Sequence, residues 1–166
     1  MNRSDIRDIQ KLVGAEQDGV LGPETEAAID EATAEGWHIG LASSFADPAD
    51  VRAFRRCKAQ GKSDNECFGV GDNAIGYWKD DTSEGTGKSV AVPPDDMIER
   101  WGSKDAAHLK QVLIQTTTTQ ATAFVKDTMP WKRHITNGAV IDCNPDTCAA
   151  LNEKPPMMIA AKWKWA

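Results

Sequence analysis

The sequence predicts an α+β protein, a small N-terminal helical hairpin followed by a β-rich body with short helices that ends in the closing strand of a barrel. Two alternating segments argue for the β part. Gln120 to Lys126 sets Ala121, Ala123 and Val125 on one face and Thr122, Phe124 and Lys126 on the other, and Met157 to Trp165 sets Ile159, Ala161, Trp163 and Trp165 against Lys162 and Lys164. The hairpin follows from Ile6, Ile9, Leu12 and Val13, which recur at helical spacing before Gly14, and from a second apolar stripe after Gly22-Pro23.

Taken in order, Ser4 or Asp5 caps the first helix, Asp18-Gly19 makes the turn, and Thr25, Ala28, Ile29 and Ala32 line the second. Residues 36–47 read as a tie between domains. Asp47-Pro48 then opens a helix in which Val51, Phe54 and Cys57 share a face, and Ser63 with Glu66 caps a short helix that carries Cys67 back towards Cys57. Residues 69–92 are rich in turns. Pro93 or Pro94 starts a helix that Gly102 ends, Leu109 to Gln115 alternates as a strand, and Thr116 to Thr119 turns the chain. After the strand ending at Asp127 come a basic and aromatic loop, an Asn137-Gly138 turn and the apolar run Ala139-Val140-Ile141. That run delivers Asp142 to a strand end, and Asn144-Pro145 begins a short helix. The expected domains are therefore a hairpin at 1–35, a linker with helices at 36–69 and the barrel at 70–166.

The net charge of −6 is uneven. Residues 1–35 hold three basic and nine acidic side chains, and the remainder balances sixteen against sixteen. With no basic tract, neither nucleic acid nor an anionic membrane is an expected partner. No run is long enough to span a membrane, and the charged start MNRSDIRDIQ lacks the apolar core of a secretory signal. The four cysteines form two local pairs, Cys57 with Cys67 and Cys143 with Cys148, outside C-x-x-C spacing. They read as two short-range disulfides if the protein works outside the cytoplasm, or as four reduced thiols inside it. No metal or cofactor is expected: neither cysteine pair has zinc-site spacing, and Gly85-x-Gly87-Lys88-Ser89 lacks the upstream glycine and strand of a phosphate loop.

Two stretches resemble known families. Ile9-Gln10-Lys11-Leu12-Val13-Gly14, then Asp18-Gly19-Val20-Leu21-Gly22-Pro23-Glu24-Thr25 and Ala28-Ile29, is similar to the first two helices of the peptidoglycan-binding type 1 module. The resemblance makes Asp18, Gly19, Gly22 and Thr25 its wall-binding positions. Asp127-Thr128-Met129-Pro130, followed by Ile141-Asp142-Cys143-Asn144 and Cys148-Ala149-Ala150-Leu151, resembles the six-stranded double-psi β-barrel of the rare lipoprotein A, expansin and family-45 endoglucanase group, over roughly half the chain.

That second resemblance implies glycan chemistry. Breaking a glycosidic bond needs a proton donor, and a carboxyl kept protonated by apolar surroundings can serve. Asp142 takes that role, alone in a lytic transglycosylase or with Asp127 as the second carboxylate in a hydrolase. The family's histidine is missing near Pro93-Pro94-Asp95-Asp96, so either His108, in Ala106-Ala107-His108, takes its role, with His134 as a second candidate, or the activity differs from the family's or is lost. Tyr77, Trp78, Asp80, Asp81, Thr82, Trp131 and His134 are the expected sugar contacts, since aromatic faces stack on sugars and carboxylates accept their hydroxyls.

Three functions fit: a peptidoglycan-cleaving enzyme, a non-catalytic expansin-like wall-binding module, and a structural part of a phage or secretion machine. Peptidoglycan glycan strands are the expected partner. Delivery machinery or an immunity protein would accompany a cargo made in the cytoplasm that acts in the periplasm or at the cell wall after non-classical delivery.

Overall fold

A computed structural model describes all residues, 1–166. Helices α1 (Arg3–Val13) and α2 (Pro23–Ala34) form the hairpin. Asn2, two residues before the expected cap, closes a capping box with Asp5, because its side chain reaches the third helical N–H. Gly14 ends α1 in the left-handed conformation.

Next come β1 (His38–Ser44), α3 (Pro48–Ala59), α4 (Asp64–Phe68), β2 (Ser89–Val92), α5 (Pro94–Trp101), α6 (Lys104–Ala107), β3 (Gln111–Gln115), β4 (Gln120–Thr128), a 3-10 turn at Lys132–His134, β5 (Ala139–Cys143), α7 (Pro145–Ala150) and β6 (Met158–Trp165). The strands close into a mixed barrel in the order β1-β5-β2-β4-β3-β6. The pairs β1/β5 and β2/β4 are parallel, and the other four are antiparallel. The chain is thus α+β with a six-stranded barrel, as expected.

Alternation along the strands decides what fills the barrel. Val90, Val92, Val112, Ile114, Ala123, Val125, Ile141, Cys143, Ala161 and Trp163 turn inward and form one buried cluster. The opposite faces meet helices and loops.

The barrel does not start at residue 70. The segment expected as a linker supplies β1, whose Leu41 and Ala42 are buried, and β1 pairs with β5 on one side and β6 on the other. Nor does the hairpin stand apart: Ile9 packs on Leu41 and Ala160, and Lys162 Nζ donates to the Leu12 carbonyl at 2.9 Å.

Cys57 and Cys67 form the expected disulfide, stapling α4 to α3. Cys143 and Cys148 do not pair, contrary to the expectation of a second bridge. Cys143 shares the inward face of β5 with Ile141, and the Cys148 thiol instead donates to the Cys143 carbonyl at 3.6 Å. Burial pushes both thiols up, Cys148 to about 12, so both stay protonated.

Candidate functional site

Strand register builds a row of side chains on the outside of the barrel. Ser43 of β1 pairs with Asp142 of β5, Asp142 with Ala91 of β2, and Ala91 with Asp127 of β4. Partners in register point to one face, so both aspartates belong to that face, two strands and about 10 Å apart along the sheet. Phe45, Met129, Ile135 and Ala139 cover Ala91 between them.

Asp142 opens into a cleft of about 430 Å³ whose wall also includes Ser43, Ser44, Asp47, Pro130, His134 and Met157. The Ser43 hydroxyl donates to Asp142 Oδ1 in a short hydrogen bond. Burial pushes the Asp142 carboxyl up from 3.8 to about 6; the Ser43 bond opposes this, and negative charge on Asp127 and Asp47 adds to it.

Asp127 is also raised by burial, but less freely, because its Oδ1 accepts the backbone N–H groups of Tyr77 at 2.9 Å and Thr128 at 2.8 Å. Gly76 permits the first of these contacts: a Cβ there would sit 2.1 Å from the Lys126 carbonyl oxygen. Asp127 does not line the Asp142 cleft.

Asp47 does, and the sequence reading took it only as the residue opening α3. Its Oδ2 accepts the Ser44 hydroxyl at 3.1 Å, and Oδ1 is buried without a donor. Burial raises this carboxyl too, with Asp50 and Asp72 reinforcing the rise. A larger cleft of about 860 Å³ adjoins at Asp47 and Pro156 and runs between α3, α7 and the loop before β6. The sequence signal for Asp47 was its position just after a Gly- and Ser-containing strand, and that strand was not recognised.

The other expected residues fall into separate groups. His108 Nε2 lies 2.6 Å from Asp80 Oδ2, and its ring stacks on Trp78 with centroids 4.7 Å apart, so it does not reach the Asp142 cleft. Trp78 Nε1 donates to Asp105 at 2.9 Å. Tyr77 is exposed at the edge of this cluster, with the Lys104 ammonium 4.1 Å from its ring centroid. Asp81 is held low by the Ser83 hydroxyl and N–H. Thr82 is buried, its hydroxyl on the Ala74 carbonyl and its own carbonyl accepting from Asn144, so it has no free surface for a sugar. Trp131 is half-buried under the Arg133 guanidinium, and His134 is exposed on the cleft wall.

In the hairpin, the motif residues converge on buried Gln10. Its amide nitrogen donates to Asp18 Oδ1, Val20 O and Thr25 Oγ1, and its oxygen accepts from Gly19 N–H, all between 2.7 and 3.0 Å. Asp18, Gly19 and Thr25 therefore hold the turn, Gly19 with a positive φ, and Gly22 caps α2.

No protein-family model matches the chain, and no curated protein sequence does. Among solved structures the Streptomyces papain inhibitor is similar in fold, at 14% identity and a TM-score of 0.45, over 78% of this chain and 94% of that one.

Proposed function

We propose that the cleft beside Asp142 is a glycan-cleaving site, that Asp142 is its proton donor, and that the barrel is of the double-psi kind. The observation that carries this reading is the Asp142 carboxyl, raised to about 6 yet open to a cleft of about 430 Å³. A carboxyl with that affinity for its proton holds it near neutral pH and can release it to a leaving oxygen. The barrel reading is supported by two parallel strand pairs, β1/β5 and β2/β4, joined through antiparallel β2/β5, and by the order of Asp127, Pro130, Asp142 and the short helix after it.

In the reaction, Asp142 gives its proton to the glycosidic oxygen as the bond from the sugar carbon to that oxygen breaks. In hydrolysis, water attacks the carbon and loses its proton to Asp47, whose Oδ1 has no other partner. In transglycosylation the muramyl 6-hydroxyl attacks instead and returns its proton to Asp142. Peptidoglycan is the proposed substrate on the resemblance of the hairpin and barrel motifs to wall-acting families.

The test is a mass spectrum of sacculi digested with the purified protein. Anhydromuramic ends, one water lighter, mark transglycosylation, and hydrated reducing ends mark hydrolysis. A second reading, a wall-binding module without catalysis, is favoured by the lack of the barrel family's histidine near Pro93-Pro94-Asp95-Asp96 and by the engagement of His108 with Asp80. Sacculi that bind the protein but release no soluble fragments would select it.

A further inference from the structure

The loop from Met129 to Asn137 forms one wall of the Asp142 cleft through Met129, Pro130, His134, Ile135, Thr136 and Asn137, six of the fourteen residues that line it. It has no strand partner between the end of β4 and the start of β5, and only one 3-10 turn. Its base is anchored by apolar contacts of Met129 and Ile135 with Ala91 and Ala139. Its tip is tied differently. Lys132 N–H donates to Asp95 Oδ2 at 2.9 Å, and Lys132 Nζ makes a close ion pair with Asp96 Oδ1.

Asp96 is an unusual anchor because it is only 1% exposed, and its Oδ2 meets no donor. A carboxylate placed there at the start of α5 carries a desolvation cost. Its partner on one side is the Lys132 ammonium, and on the other His38 Nδ1 lies 3.2 Å away. We infer that Asp96 is a positioning residue for the Asp142 cleft, acting through Lys132 to hold the cleft's loop wall at the distance a bound glycan needs. This role rests on the reading of that cleft as a glycan site.

Lys132→Met is the clean variant. Lys132 is about half exposed, so the fold loses little, and Asp96 keeps His38 as a partner. Hydrogen exchange of the full-length protein is read at the His134 and Ile135 amides, which bond to the Trp131 and Lys132 carbonyls. Exchange there should quicken about tenfold, as expected for loss of one charge-assisted bond, while strand amides stay unchanged, and Lys132→Arg should restore protection. Asp96→Asn should give the same local loosening. In parallel, soluble glycan strands released from sacculi by sonication are used as the probe. Lys132→Met should raise KM several-fold with kcat nearly retained. Unchanged exchange at His134 and Ile135 overturns the tether, and faster exchange with unaltered KM overturns its role in the cleft. If the wild-type protein neither binds nor cleaves the strands, the glycan reading and the cleft role fall together, and the exchange result still decides the tether by itself.

Discussion

Replacing Asp142 by Asn should stabilise the protein at neutral pH while removing its proposed activity. In the folded chain the carboxyl is raised from 3.8 to about 6, with burial as the largest cause. Between those two values the folded state binds the proton and the unfolded state does not, so wild-type stability falls as pH rises through this window. Above it, the ionised form of Asp142 costs the fold about 3 kcal/mol at most, from the linkage between pKa and stability. Asn keeps the shape and still accepts the Ser43 hydroxyl, yet never ionises. Urea unfolding should therefore show the variant level with wild type near pH 4 and more stable at pH 7.5, by up to about 3 kcal/mol, a rise of several degrees in Tm for a chain of this size. A variant equally or less stable at pH 7.5, or a difference independent of pH, would refute the burial argument. Glycan cleavage by the same variant should fall by about 10²–10⁴-fold, the usual share of general acid catalysis.

Four further outcomes follow from the geometry. The rate of glycan release should decline above about pH 6 as Asp142 loses its proton, since burial sets that value, and a pH–rate profile checks it. If the products carry hydrated ends, Asp47→Asn should slow release more than Asp127→Asn, because Asp47 lines the cleft and Asp127 is engaged by two backbone N–H groups; the order is read from initial rates. Intact mass after alkylation should show two modified thiols, appearing only on unfolding without reductant, and four once reductant is added. Gln10→Ala strands the partners of four hydrogen bonds and should cost about 2–4 kcal/mol in urea unfolding.

The hairpin was readable from spacing, but its packing was not, because Ile9 looks like any core residue of a hairpin until Leu41 and Ala160 are placed against it. Strands β3, β4 and β6 stand out through alternation, and β5 as a short apolar run. The sequence of β1, HIGLASS, hid its strand character behind a glycine and two serines. Gly40 is there because a Cβ would lie 2.6 Å from Val140 Cγ1 and 2.8 Å from the Gly138 carbonyl oxygen in the adjoining strand and turn, a long-range crowding that no local pattern encodes. Missing β1 hid Asp47 as a cleft residue and displaced the second carboxylate onto Asp127. Alternation did contain the burial of Cys143, which lies two residues beyond Ile141 and shares its inward face, but not the missing bridge: Cys148 is buried in the same cluster with its thiol on the Cys143 carbonyl.

Asp142 itself poses the remaining question, since a buried aspartate after an apolar strand commonly caps the next helix. Here that work is done by Asn144, whose Oδ1 accepts the Thr147 N–H at 3.0 Å and the Ser89 N–H at 3.0 Å, with its amide donating to the Thr82 and Gly87 carbonyls. Asp146 is likewise occupied, accepting from Gly85 and Gly87 to pin the preceding turn. Asp142 is left with a single protein hydrogen bond, from Ser43, and a cleft in front of it. Its ionised form costs the fold, and the Ser43 bond offsets that cost only in part, since the carboxyl neither caps a helix nor pairs with a cation. That combination, a raised carboxyl facing a cleft, is what the proposed proton donor requires. The contrast makes Asn144→Ala and Asp142→Asn a discriminating pair: the first should lower stability at every pH by exposing the cap and the turn, with about 1–2 kcal/mol from the cap alone, whereas the second should raise stability at neutral pH and remove only the chemistry. If both variants destabilise alike, Asp142 is part of the scaffold and the cleft loses its proton donor.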